Sequence, residues 1–299
     1  MSNNDIVLKT TSQNGYAVTV EVAAPDGGRV RQITIDDGQT SIAVFAAHEH
    51  TPAHSKGWGS FPMAPWAGRI RHGRFNHLHA DVRLDLNHID GPSDNGGLIH
   101  PADPAPATIE ANDRRHAIHG TTFTRRWDVV SSTDISVEMT CPLEGALGWP
   151  FAGTARQILT LHPDHIGFEL SVEAEGNTTF PASVGWHPWF VKPDRLDFSP
   201  TAMYVRDDIG LPTGELIEPP PGRWDDCFIN ERPVVMHYDR LVAPAITVAS
   251  EDCDHWVVYD MPDATTCIEP QSGPPDAPTT RPEVVASGRP LRHTMTIGW

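Results

Sequence analysis

Alternation of apolar and polar residues with a period of two is the commonest pattern along this chain. In HIGFELSVEAEG, Ile166, Phe168, Leu170, Val172 and Ala174 fall on one face, and Glu169, Ser171, Glu173 and Glu175 on the other. That spacing predicts a strand with one face packed and one face in water. AVTVEVA repeats it with Val18, Val20 and Val22, and LRHTMTIGW with Leu291, His293, Met295, Ile297 and Trp299, so strands bracket the chain. Further strand-like stretches are ISVEMTC, ARQILTL, TTFPASVGW, PVVMHYD, AITVAS, HWVVYDM and TTCIEP. The segments between them are rich in Gly, Pro, Asp and Asn, the residues that turns need. No long amphipathic helix interrupts this pattern, and 28 prolines and 24 glycines are spread along the chain as punctuation. The expectation is an all-β protein, a large antiparallel β-sandwich with turns and long loops.

The stretch from Asn87 to His116 shows neither period and carries several breakers, so it is expected to be a long surface loop. No composition shift marks a linker and no repeat recurs at a fixed spacing, which favours one domain over residues 1–299. A net charge of −17 makes the averaged field repel phosphate backbones and anionic membrane surfaces. Nucleic acid and membrane are therefore not expected partners. The N-terminal MSNNDIVLKTTSQNGY lacks a basic start followed by an apolar stretch, and nowhere do eighteen apolar residues run together, so a cytoplasmic location is expected. Cys141, Cys227, Cys253 and Cys267 are widely spaced with no CxxC pair and read as buried thiols rather than a zinc knuckle or disulfide framework. Neither composition nor motif sets an oligomeric state.

Four segments place reactive polar groups among aromatic and turn residues, each at a strand end or loop start: PWAGRIRHGRF (65–75), AIHGTTFTRRWDV (117–129), GWHPWF (185–190) and CIEPQSGPPDA (267–277). Directional donors and acceptors beside aromatic walls suit small polar ligands, sugars among them. His187, flanked by Trp186, Pro188 and Trp189, reads either as a general acid in a poorly hydrated setting or as a core histidine bonded to a backbone carbonyl. Glu269 lies in an otherwise apolar strand before Pro270 and reads either as a general base or as a strand-end glutamate pointing at water. Arg69 and Arg71 would share a strand face, where a guanidinium can fork onto adjacent hydroxyls or make a surface salt bridge. His119 before Gly120, and Asp225 beside Asp226, each sit at a turn-like edge. HEHTPAH puts His48 and His50 on one strand face, but the glutamate and second histidine motif of a cupin-like centre are missing, and no metal is expected.

In order along the chain, GRI (68–70), IHG (118–120), GWHPWF (185–190) and CIEPQSGPPDA (267–277) resemble the N-R-I, H-G, G-x-H-P-Y-F and E-P segments of the aldose 1-epimerase (galactose mutarotase) family. DIGLPTGE (208–215) and WDDCF (224–228) look like further landmarks, and the likeness runs from about residue 60 to the C-terminus. The resemblance implies the galactose mutarotase-like supersandwich and interconversion of the α and β anomers of a free monosaccharide, with no cofactor. It implies His187 as general acid and Glu269 as general base, Arg69 and His119 as residues that hold the sugar, and Asp225 as the carboxylate on its hydroxyls, with Asp226 as competitor. Two positions depart from the family pattern: Gly68 stands where asparagine is usual, and Trp189 where tyrosine or phenylalanine is usual.

Three other functions fit parts of the same pattern. Asp225 and Glu269 could be the paired carboxylates of a glycoside-acting enzyme. Arg114, Arg115, Arg125 and Arg126 could form the phosphate pocket of a hexose-6-phosphate 1-epimerase, against the negative net charge. A non-catalytic carbohydrate-binding protein would keep the pocket and lose the chemistry.

Overall fold

The computed structural model describes residues 5–47, 57–89, 97–98, 115–239 and 245–299. The alternating segments are strands with bounds close to those expected, among them Ala17–Ala23, His165–Ala174 and Leu291–Gly298. One more strand, Ile6–Thr11, precedes them and pairs with Ala17–Ala23. Only Leu8 of this strand is buried, so its sequence carries little periodicity to read. Helical structure among the described residues is confined to the short turns Ala24–Asp26, Arg71–Gly73 and Ala277–Thr280.

Two large sheets dominate, and every strand pair in them is antiparallel. The first, of eleven strands, runs in the order Ile6–Thr11, Ala17–Ala23, Arg29–Asp36, Ser60–Met63, Gly185–Val191, Thr265–Gln271, His255–Tyr259, Asp225–Ile229, Ala202–Arg206 and Pro212–Ile217, with Ser41–Ala43 also on Arg29–Asp36. The second, of eight strands, is centred on Gly153–Leu161, His165–Ala174 and Leu291–Gly298. Along Gly153–Leu161 buried and half-buried residues alternate without a break, as a sheet with one face on a core and one toward water requires. Leu159, Leu170, Val172, Met295 and Ile297 from this sheet meet Val20, Trp186, Phe190, Phe228, Trp256, Val258 and Ile268 from the other in one continuous core. The all-β antiparallel sandwich expected from the alternation is the observed fold.

The middle of the larger sheet departs from that simple scheme. Ser60–Met63, Gly185–Val191 and Thr265–Gln271 are buried on both faces almost throughout. Beyond the sandwich core, Phe61, Met63, Ala67, Phe123, Trp189 and Cys267 form a second apolar cluster on the opposite face. Arg29 pins the loops that cover this face. Its guanidinium lies 3.9 Å from the Trp58 ring centroid and donates to the carbonyls of Asp26, Trp58 and Phe123. Burial pulls its pKa down to about 9, because a desolvated guanidinium loses its hydration.

Three local expectations change. TTFPASVGW is not one strand: Thr179–Ala182 pairs with Glu283–Ala286, and the chain then crosses to the large sheet as Gly185–Val191. The crossing is held by Ser183 N–H donating to the Pro65 carbonyl and Val184 N–H to the Ser272 hydroxyl. GWHPWF accordingly lies within a central strand instead of at a loop edge, its Pro188 paired with Ser60 at the end of the neighbouring strand. Finally, the described ends of the 87–116 stretch are not loop: His88–Ile89, Gly97–Leu98 and Arg115–Ile118 join Arg69–Ile70 in a small sheet. Strands of two to four residues between breakers are too short to show a period. The rest of that stretch, and the HEHTPAH histidines, lie outside the described residues. Cys141, Cys227, Cys253 and Cys267 are all buried.

Trp186 is fully buried in the core and donates its indole N–H to Gln157 Oε1 at 3.2 Å. Trp186→Ala is expected to lower stability by about 3–5 kcal/mol, read as a shift in the urea unfolding midpoint.

Candidate functional site

The register of the two central strands sets the geometry. Pairs Gly185↔Gln271 and Trp189↔Cys267 flank the position at which His187 lies opposite Glu269. Strand alternation sends Trp186 and Ile268 into the sandwich core and His187 and Glu269 to the other face. There His187 Nε2 stands 3.3 Å from Glu269 Oε1, with side-chain exposures of 6% and 3%. The second carboxylate oxygen accepts from Gln271 Nε2 at 3.3 Å. Phe61, the cross-strand neighbour of His187, stacks on its imidazole at a centroid distance of 4.9 Å, and the Trp189 ring lies nearly parallel to it at 5.1 Å. The strand-end glutamate in water is thus replaced by a buried carboxyl beside an imidazole in an aromatic setting.

His119 is brought edge-on to His187, with ring centroids 4.8 Å apart. It follows the strand Arg115–Ile118 and takes a left-handed backbone with φ +63°, continued by Gly120 at φ +78°. The reason for glycine at 120 is steric as well as torsional. A Cβ there would stand 2.0 Å from the Ala64 carbonyl oxygen, which accepts from Thr121 N–H at 2.8 Å. His119 N–H donates to the Gly68 carbonyl at 2.8 Å, so the turn carrying His119 is tied to the turn that launches Arg69. Asn87 completes the clamp by bonding both backbone groups of Ile118. From the other side, Asp276 N–H donates to the Arg69 carbonyl at 2.6 Å while its carboxylate accepts from Arg71 N–H. Burial raises the pKa of this carboxyl despite those bonds.

Asp225 pairs with Tyr259, and Asp226 with Val258, in the strand register. Asp225 therefore shares the face of His187 and Glu269, whereas Asp226 starts on the core face at the sheet's margin. Arg206 reaches both, with Nη1 3.2 Å from Asp225 and Nε 2.8 Å from Asp226. Arg69 Nη2 approaches Asp225 at 3.9 Å. Arg69 and Arg71 do not share a strand face as expected: the strand ends at Ile70, and Arg71 opens a helical turn and pairs with Asp207 at 2.7 Å.

These groups surround a cavity of about 810 Å³, lined by His187, Glu269, His119, Arg69 and Asp225 together with Asp226, Trp189, Tyr204, Arg206, Asp207, Tyr259 and Gln271. Five residues singled out from separate segments of sequence thus meet in one concavity. Arg206, Tyr204 and Gln271 were not singled out. Gln271 was within reach of the alternation, two positions past Glu269, but Arg206 and Tyr204 come from a strand without a distinctive motif. Donor atoms of His187, Cys267 and Glu269 lie within 4.8 Å of one another, as do those of Asp252, Cys253 and His293, so each trio has the chemistry to ligate a thiophilic divalent ion.

Residues 103–225 match the aldose 1-epimerase family model. The chain resembles the aldose 1-epimerase family. That segment contains His119, His187 and Asp225, while the fold delivers Arg69 and Glu269 from outside it. The uncharacterized protein YihR of Escherichia coli (strain K12) is 22% identical over 191 residues, a match that spans 61% of this chain and 53% of that protein. Among solved structures, the GalM/aldose epimerase homologue from C. elegans superimposes with a TM-score of 0.74 at 12% identity, covering 99% of this chain and 98% of that one. A galactose mutarotase-like protein from Clostridium acetobutylicum gives 0.72 at 13% identity, with 99% and 98% covered. Galactose 1-epimerase from Lactobacillus acidophilus NCFM gives 0.65 at 13% identity, again with 99% and 98% covered. At these identities the likeness is one of fold, the aldose 1-epimerase-like supersandwich.

Gly120→Ala is expected to destabilise the protein by more than about 1 kcal/mol, since it adds a left-handed strain to a backbone overlap. A thermal melt equal to that of the unsubstituted protein would contradict the account of the His119 turn.

Proposed function

We propose that this chain is an aldose 1-epimerase that interconverts the α and β anomers of a free aldose. The observation that carries the proposal is the 3.3 Å approach of His187 Nε2 to Glu269 Oε1 at the floor of a polar, aromatic-walled cavity. Ring opening of a hemiacetal removes a proton from the C1 hydroxyl and adds one to the ring oxygen. Those two oxygens are bonded to the same carbon, so an acid and a base that act together must stand side by side, as these do. In the proposed reaction Glu269 takes the C1 hydroxyl proton while His187 protonates the ring oxygen, and the C1–ring oxygen bond breaks to leave the open-chain aldehyde. Rotation about the C1–C2 bond presents the other carbonyl face. Reclosure, with both protons returned, gives the other anomer and restores each residue.

The remaining residues fit binding. Arg69, held by its ties to Asp225 and the 276 turn, offers a guanidinium fork to neighbouring hydroxyls, and His119 offers a second ring at the reacting end. Asp225 is engaged by Arg206 and Arg69, which suits a fixed hydroxyl acceptor better than a shuttle of protons to a glycosidic oxygen. Among the described lining residues, Asp207, Asp208, Asp225, Asp226 and Glu269 outnumber Arg69 and Arg206, and this balance favours a neutral sugar over a phosphorylated one.

Polarimetry of freshly dissolved α-glucose, α-galactose and other aldoses tests the reading. His187→Ala or Glu269→Gln should lower turnover by about 10²-fold or more with unchanged thermal melts, whereas Arg69→Ala should act mainly on KM. Near-normal turnover in either of the first two would remove that residue from the mechanism. Faster processing of glucose 6-phosphate than of glucose, or phenol release from aryl glycosides, would replace the proposed reaction.

A further inference from the structure

At the wall of the cavity, a relay of three side chains built around a buried histidine ends at a tyrosine. His255 is fully buried, on the same strand face as Val257 and Tyr259. Its Nδ1 lies 2.5 Å from Asp254 Oδ1, its Nε2 lies 3.2 Å from the Tyr204 hydroxyl, and Arg281 Nη1 approaches the same Nε2 at 3.3 Å. The Tyr204 ring stacks on the imidazole at 5.9 Å, and Tyr204 lines the cavity.

The proton positions in this relay follow from what each group can do. A carboxylate only accepts, so Nδ1 carries the hydrogen bonded to Asp254. A guanidinium only donates, so Nε2 presents its single lone pair, shared between Arg281 and the Tyr204 hydroxyl, and the ring is neutral. Tyr204 must then donate its hydroxyl hydrogen to Nε2. What the hydroxyl has left is oxygen lone pairs, and Tyr204 lines the cavity.

We propose that Tyr204 is a substrate-binding residue that accepts a hydrogen bond from one sugar hydroxyl, and that Asp254 and His255 are positioning residues that fix it as an acceptor. The inference rests on the reading of the cavity as an aldose site. It defines a specificity element distinct from the His187–Glu269 pair: one position of the sugar must carry a group that can donate.

The test combines two variants with a set of monodeoxyfluoro aldoses, because fluorine replaces a hydroxyl without being able to donate. Tyr204→Phe removes the acceptor and keeps the ring. Asp254→Asn can offer its amide to Nδ1, which drives the proton to Nε2 and turns Tyr204 from acceptor to donor. Each should raise KM, and the dissociation constant measured by calorimetry, by about two- to tenfold with kcat within about twofold. For one fluoro sugar, the penalty seen with the unsubstituted protein should vanish in Tyr204→Phe. Unchanged affinity in Tyr204→Phe, or a fluorine penalty identical in both proteins at every position, would overturn the inference while leaving mutarotation intact. If the protein binds aldoses without accelerating mutarotation, the proposed reaction falls, and the calorimetric ratios still decide the role of Tyr204. If no aldose binds, both fall.

Discussion

Everything at the candidate site depends on keeping one carboxylate and one imidazole out of water and against each other. An ionised carboxylate taken into an apolar interior loses several kcal/mol of hydration unless other groups replace the water. Glu269 meets that demand with His187 on one oxygen and Gln271 on the other, and all three side chains arrive through strand register. The stacked rings of Phe61 and Trp189 then exclude solvent from the pair. A low local polarity strengthens each of these contacts in turn, so the arrangement is both costly to assemble and stiff once assembled. That stiffness is what a paired proton transfer asks of its scaffold.

The loops add what strands cannot. A strand delivers side chains alternately up and down, and no strand can turn one edge-on to His187 from the facing side. The left-handed turns at Gly68 and His119–Gly120 do this, bonded to each other through the His119 N–H and the Gly68 carbonyl. The same geometry accounts for one departure from the family pattern. Position 68 has φ +65°, a conformation that glycine adopts freely and asparagine more readily than other side-chain-bearing residues, so asparagine is among the milder exchanges for the backbone. The space is not: a Cβ at 68 would sit 3.1 Å from Pro275 Cγ. Glycine here leaves the proline ring closer to the Arg69 turn than a side chain would permit.

Much of the sandwich was legible because the eight-stranded sheet has a wet face. In His165–Ala174, contact with water favours polar residues such as Glu169, Ser171 and Glu173 at alternate positions, and the period is visible in the letters. The central strands of the other sheet have no wet face. Both sides are buried, one in the apolar core and one against the polar site, so water imposes no period on them; GWHPWF read as a loop edge and TTFPASVGW as one strand, though the chain changes sheet between Ala182 and Gly185. The site was legible through rare groupings: a histidine among tryptophans, and a glutamate inside an apolar run. Arg206 and Tyr204 lacked such company. Their importance arises from partners at Asp225, Asp226 and His255, which are distant in sequence and adjacent only across the sheet.

The two-sided burial of Gly185–Val191 also bears on how such a chain can change over time. Substitutions can be absorbed one at a time, because a neighbour can shift to accommodate each. A single inserted or deleted residue within the strand is a different event: it would send the following side chains to the opposite face, with Trp186 or Phe190 turned toward the cavity and His187 toward the sandwich core. No loop adjoins the middle of this strand to take up the extra residue, since neighbours flank it on both sides. Length variation in this protein is therefore confined to its turns, while the spacing between the histidine and its tryptophans is held fixed by geometry.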